Sequence, residues 1–301
     1  MSVYVQGKEY KITKDPKLGG NALNLNGLGI SNIRDVQGLD EIVEIENLNI
    51  SFNKIDHVEG LDALANLRYL NLRCNQISYI DKQDALTKLH HLDLSCNNIS
   101  CVENLETFEN LKALNLSGNQ ISKIDGFDSL INLEYLNLSS NQITQIQGLS
   151  NLLKLQDLIL MYNQITQIEG LDSLFNLKLL DLARNQIAEV QGLGTLKKLF
   201  NLCLSSNLIG RMEGFYALNK LQNLDLSKNL ITKVEGLERL KNLRYLNISS
   251  NQINRIEGIA DLDNLQRIYL DNNPILNWPR DEIGQQIKDA QALVQFCKNN
   301  S

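Results

Sequence analysis

Residues 133–152 read LEYLNLSSNQITQIQGLSNL, and residues 155–174 read LQDLILMYNQITQIEGLDSL. The second string is the first moved on by 22 residues, with the leucines, isoleucines, asparagine and glycine in the same places. Leucines two apart, such as Leu70 and Leu72, point to one side of an extended chain, and the residues between them point to the other. A strand this short cannot bury its leucines alone, so successive repeats must stack and share one core.

The pattern reaches outward in both directions. Its asparagine recurs at Asn53, Asn75, Asn97, Asn119, Asn141, Asn163, Asn185, Asn207, Asn229, Asn251 and Asn273, always 22 residues apart. One further repeat, LGISNIRDVQGL at 28–39, precedes them with Ser31 in the asparagine's place, which makes about twelve. A fixed period of this length with LxxLxLxxN marks a leucine-rich repeat. A carboxamide both donates and accepts, so a column of asparagines can satisfy backbone groups that the turns would otherwise bury unpaired. Glycine stands seven residues after the asparagine in most repeats, as at Gly126, Gly148 and Gly170, where a positive φ or a close approach is expected. The expected fold is an α/β solenoid: a curved right-handed coil with a parallel sheet on its concave side and 3-10 or short helices on its convex side.

The repeat with NxIxxIxGL resembles those of internalins and of the leucine-rich regulatory subunit of the type-one Ser/Thr phosphatase. The resemblance covers roughly residues 23–275. It implies the curved solenoid and the binding of proteins on the concave face. No partner-contacting residue of either family matches one to one, so none is carried over.

An open stack exposes core at both ends and needs covers. Residues 1–20 supply the first, where VYVQGKEYKI alternates around Gln6 and Gly7 and predicts a hairpin. Repeats fill 21–276, and Pro274 and Pro279 stop them. Residues 277–301 form the second cover, with Ile283, Ile287, Ala290, Val294 and Cys297 on one helical stripe. This tail is similar to the closing segment of leucine-rich repeats in Roco-type proteins, where a GTPase follows. The similarity implies a cap, and no GTPase is expected here.

Composition narrows the class. The chain has 301 residues, 43% of them hydrophobic, with a net charge of −6 and no long apolar run. A nucleic-acid surface and a membrane span are not expected, and the amino terminus has no apolar export segment. The five cysteines, an odd number without zinc-finger spacing, read as free thiols. Sequons at Asn49, Asn98, Asn115, Asn137 and Asn247 would crowd several strands with glycans in a secreted eukaryotic protein. Both features point to the cytoplasm, and to a monomer without cofactor or metal.

Several stretches imitate chemistry. HLDLS places His91, Asp93 and Ser95 on one strand face, but neighbours there are roughly 7 Å apart, and these residue types are the ordinary filling of the column. Cys74 and Cys96 hold equivalent places in adjacent repeats, yet further metal ligands are missing. An acid or glutamine follows each asparagine by six residues, from Glu59 and Asp81 to Glu257, and reads as a solvated column. Lys82, Gln83 and Asn104 break the glycine–leucine pattern and predict a local rearrangement. No catalytic or metal-binding residue is expected.

The candidate site is a departure from pattern. Four residues before each asparagine the chain is polar except at Ile159, Cys203 and Tyr269. Two before, mostly serine, Met161 intrudes, and Tyr162 follows it. With Leu179 these form an apolar cluster in the middle of a polar wall, rimmed by Tyr135 and Arg184, and such a cluster marks an interaction surface. The expected function is a scaffold or adaptor holding a protein partner on the concave face. The alternatives are a regulatory subunit of a phosphatase or other enzyme, and a surface adhesin or effector.

Overall fold

The computed structural model describes residues 1–276, 278–281 and 285–300. The chain forms two compact units, Met1–Ile143 with Asn151–Leu155, and Thr144–Ser150 with Gln156–Ser301.

The first unit opens with a hairpin of β1 (Ser2–Val5) and β2 (Lys8–Lys11), turned by Gln6 and Gly7 at φ of 50° and 77°. Two positive φ values in a two-residue loop suit the twist of the flanking strands. Val3 and Val5 are buried, and two backbone hydrogen bonds of 3.0 Å between Tyr4 and Gln37 fasten the hairpin to the first repeat. Strand β3 (Thr13–Lys14) then runs antiparallel to β4 (Asn21–Asn24) and covers the sheet's first edge. Strands β5 (Asn47–Asn49), β6 (Tyr69–Asn71), β7 (His91–Asp93), β8 (Ala113–Asn115) and β9 (Tyr135–Asn137) follow in parallel register.

The second unit repeats the design with β10 (Asp157–Ile159), β11 (Leu179–Asp181), β12 (Asn201–Cys203), β13 (Asn223–Asp225), β14 (Tyr245–Asn247) and β15 (Arg267–Tyr269), all parallel. In β5 to β14 the middle residue is a leucine no more than 4% exposed. The residues on either side of it face the opposite way, onto the open face of the sheet. The returns behind the sheet are mostly single tight turns, as where Leu64 N–H donates to the Leu61 carbonyl and Leu67 N–H to that of Leu64. Two 3-10 helices occur among the described residues, at Ile33–Asp35 and Leu39–Glu41. Both compact units are therefore parallel-sheet solenoids of the expected class.

The asparagine column does what its chemistry allows. Asn75 Nδ2 donates to the Leu72 carbonyl in its own repeat and to the Ile50 carbonyl in the preceding one, each at 3.0 Å. Its Oδ1 accepts from the Ile55 N–H at 3.0 Å. The same three bonds recur, for example, at Asn97, Asn207, Asn229 and Asn251. The residue just before the asparagine is left-handed whatever its type: Phe52, Cys74, Tyr162, Arg184 and Lys228 all have φ between 53° and 56°. Behind the sheet, Gly214 has φ +85°, and a Cβ there would lie 2.0 Å from the Val190 carbonyl oxygen.

Three expectations need correction or refinement. Ser31 does not hold the asparagine's place. Asn24 pairs with Asn49, and Asn53 accepts from the Ile30 N–H, so the equivalent of Asn53 is Leu28 and the first repeat is 25 residues long. Three extra residues around Ile33 are absorbed by the first 3-10 helix, which Asn32 caps by accepting from the Arg34 N–H at 2.8 Å.

The terminal helix is shorter than its stripe. α1 spans Ala290–Asn299, and Asp289 starts it by accepting from the Ala292 N–H at 2.9 Å. Ile287 lies before it in a non-helical segment, its N–H donating to the Pro279 carbonyl and its carbonyl accepting from the Trp278 indole N–H. Ile283 lies outside the described residues. Ala290, Leu293, Val294 and Cys297 are buried, and Gln291 Nε2 donates to the Asp263 and Leu265 carbonyls of the last repeat.

The irregular turn at Lys82 and Gln83 is settled internally. Gln83 is buried where other repeats place leucine, and its Nε2 donates to the Val58 and Asp81 carbonyls. Asn104 keeps the glycine's left-handed backbone at φ 60° and donates from Nδ2 to the Ile80 carbonyl at 2.8 Å.

Candidate partner-binding surface

The polar column four residues before the asparagines has a structural task. Its side-chain oxygen accepts from the backbone N–H two residues on. Asn137 does so to Ser139 at 2.9 Å, Asp225 to Ser227 at 2.9 Å and Asn247 to Ser249 at 3.2 Å. This short cap closes the strand into the left-handed turn that follows. Ile159 has no such oxygen. The fold rewards polarity there, and Ile159 gives that reward up.

The second unit brings together six of the seven site residues named from the sequence. Ile159 pairs in register with Asp181, and Asp181 with Cys203, so one carboxylate separates the two apolar positions. Leu179 stands beside Asp157 at the other edge of the same face. Ile159, Met161 and Leu179 are half-buried, while Leu158 and Leu160 beneath them are fully enclosed. Tyr162 is 46% exposed, and the Arg184 guanidinium lies 4.5 Å from its ring centroid, a cation–π pair. Tyr135 belongs to the first unit, where Asn137 Nδ2 donates to its hydroxyl at 3.4 Å.

The sequence reading missed Ala183, which occupies the place of Met161 one repeat on and is buried. Its signal was the absence of serine two before Asn185. Met161 and Ala183 together remove two hydroxyls from adjacent rungs.

Burial shifts two titratable groups of this surface upward. Burial is the main cause that pushes the Cys203 thiol up to about 11, and its Sγ lies 3.4 Å from the Ser205 hydroxyl. Burial first, and the Asp225 charge with it, raises the Asp181 carboxyl above the usual carboxylate range, against the pull of the Ala183 N–H and the Cys203 thiol. The resemblance to a triad in β7 dissolves. Asp93 accepts from the Ser95 N–H at 2.9 Å, the Ser95 hydroxyl is fully enclosed without a partner, and the His91 ring leans on Tyr69. Cys74 and Cys96 are free, and burial followed by the nearby Cys74 raises the Cys96 thiol, the reverse of activation. The acids six residues after the asparagines are partly engaged at home, as Glu59 with Arg34 at 3.2 Å and Asp81 with the Val58 N–H at 3.0 Å.

Short parallel strands, a buried asparagine column and left-handed turns define a class, the repeat solenoid that works as an interaction scaffold. The chain belongs to the leucine-rich repeat family. The family model described as Leucine Rich repeats (2 copies) matches residues 65–107, 109–151, 131–173 and 241–281, and the one described as Leucine rich repeat matches 211–253. An internalin of Listeria monocytogenes, InlF, is similar in structure with a TM-score of 0.75 and 28% identity, covering 84% of this chain and 74% of its own. A leucine-rich repeat protein of Leptospira interrogans is similar at a TM-score of 0.67 and 29% identity, over 78% of this chain and 69% of that one. The leucine-rich repeat domain of APL1B reaches 0.75 at 25% identity, over 86% and 77%. No curated protein sequence matches the chain.

Proposed function

We propose that the chain is a non-enzymatic scaffold or adaptor that holds a protein partner on the open face of the second unit's sheet, the face expected to be concave. Ile159, Met161, Leu179 and Tyr162 are the apolar contacts, Arg184 and Cys203 border them, and Tyr135 extends the surface in the first unit. The observation that carries the reading is Ile159. At this position the fold gains from Asn or Asp, and an apolar residue that surrenders a backbone cap needs another reason to be there. Apolar anchors with an arginine beside them are the usual energetic centre of protein interfaces. A net charge of −6 speaks for protein rather than nucleic acid as partner, and five free cysteines accord with a cytoplasmic monomer in a reducing compartment.

The test is capture from extracts of the native host by the parent chain and by Ile159→Asn/Met161→Ser/Tyr162→Ser, with mass spectrometry of what is held. Each change installs what Asn137, Ser139 and Ser140 already provide elsewhere. Loss of a partner by the variant supports the site. Full retention overturns it and moves attention to Tyr69, Tyr135, Tyr245 and Tyr269.

A further inference from the structure

The first unit holds a cavity of about 350 Å³ on the open face of its sheet, roofed by the loop at Asp15–Gly20. The loop is firmly set. Asp15 Oδ1 accepts from the Lys17 and Leu18 N–H groups at 2.8 Å, and the buried Asn47 donates from Nδ2 to the Gly19 carbonyl at 2.6 Å. The wall opposite is a row of three carboxamides in register, Asn24 beside Asn49 beside Asn71.

The orientation of those amides is fixed by their caps. Asn24 Oδ1 accepts from the Asn26 N–H at 3.2 Å, Asn49 Oδ1 from Ser51 at 3.1 Å and Asn71 Oδ1 from Arg73 at 3.0 Å. With each oxygen committed to the backbone, each Nδ2 is left for the cavity, and among the described residues none of the three donates to a protein acceptor. The row spaces its donors at about the strand separation of 4.8 Å. Lys17 and Tyr69 also line the cavity, and burial, with the Asp93 and Asp15 charges second, raises the Tyr69 phenol. The single carboxylate in the lining, Asp15, is turned onto its own loop. Leu18, 54% exposed, supplies an apolar lip.

We infer that this cavity binds a carboxylate carried on an apolar group, its two oxygens held by the Nδ2 groups of the half-buried neighbours Asn49 and Asn71, with Lys17 at the rim. A carboxylate is the acceptor-only group that a row of unsatisfied donors fits best. The inference is independent of the surface around Ile159. The ligand is either the free C-terminus of a peptide or a small organic acid, and both share this chemistry.

The test follows the side-chain amide signals of the three asparagines in the 15N-labelled full chain by NMR. Acetyl-Ala-Leu with a free carboxyl, the same peptide as its amide, and hexanoate are each titrated in. The account expects the free acid to shift the Asn49 and Asn71 signals most and to bind at least about tenfold more tightly than the amide. Hexanoate equal to the acid peptide makes the ligand a small organic acid; hexanoate weaker makes it a peptide terminus; either supports the site. Asn49→Asp/Asn71→Asp keeps the caps, since Asp93, Asp181 and Asp225 make them natively, and it should abolish binding with an unchanged melt. Lys17→Gln, outside the strands, should weaken it severalfold and serves if the double variant folds poorly. Equal response to acid and amide, or undiminished binding by these variants, overturns the inference.

Discussion

Two rungs of the second unit share one backbone and differ in their outer residues. At Asn247–Asn251 the strand ends in a capped turn: Asn247 Oδ1 accepts from the Ser249 N–H at 3.2 Å and from the Ser249 hydroxyl at 2.8 Å, and Ser250 takes the left-handed φ of 55°. At Ile159–Asn163 the turn is just as left-handed, with Tyr162 at 55°, but neither oxygen exists. Leu246 and Leu158 are equally enclosed beneath. The inner half of each rung thus sets the fold and the outer half is free to vary, at a local cost in caps. Where that cost is accepted, something other than folding accounts for it.

The comparison predicts that the frame common to both rungs is the least tolerant. Gly214→Ala should cost about 3 kcal/mol or more, because the added methyl meets the Val190 carbonyl oxygen at 2.0 Å and the backbone is left-handed. A melting temperature within a degree or two of the parent would mean that the turns behind the sheet shift freely.

Next in size is the column. Asn251→Ala strands the Leu226 and Ile248 carbonyls and the Ile231 N–H, and should cost about 1–3 kcal/mol in denaturant unfolding. An unchanged midpoint would show that those groups find other partners.

Moving the exceptional outer half onto the ordinary rung sharpens the contrast. Asn247→Ile/Ser249→Met/Ser250→Tyr should lower stability by roughly 1–2 kcal/mol through the lost cap and an aromatic in a left-handed turn. A neutral result would make the cap worthless.

Asp181→Asn is the smallest change. The cap survives, and Asn is the native choice at Asn115, Asn137 and Asn247. Because burial raises the folded carboxyl above the unfolded 3.8, the native state holds its proton more tightly, so ionised Asp181 subtracts stability above the folded pKa. The loss fades as pH falls toward the unfolded value. The variant should melt slightly above the parent at pH 7 and level with it near pH 3. A gain that grows on acidification contradicts the burial argument.

Much of this was legible in the sequence because the period is strict. The leucines, the asparagine column and the strand positions follow from it without further information. Register in the first repeat was not, since Ser31 and Leu28 are both plausible fillings and only the pairing of Leu23 with Leu48 decides. The start of α1 was hidden because Ile287 extends the apolar stripe, while Asp289, a cap by geometry, looks like any surface acid. The left-handed position before each asparagine carries Phe, Cys, Gly, Ser, Tyr, Arg, Lys and Asn, so residue type gives no sign of it. Composition marked Ile159 as odd. Its cost appeared only when the neighbouring Asn and Asp oxygens were seen on backbone N–H groups.

The central claim is that Ile159 stands where the fold would be better served by asparagine. The direct measurement is the unfolding free energy of Ile159→Asn against the parent, by denaturant titration. The account predicts a gain of about 0.5–1.5 kcal/mol, the worth of one new hydrogen bond from the Met161 N–H to the introduced oxygen, together with loss of the captured partner. A variant less stable than the parent would contradict it, and would make Ile159 part of the core rather than of a binding surface.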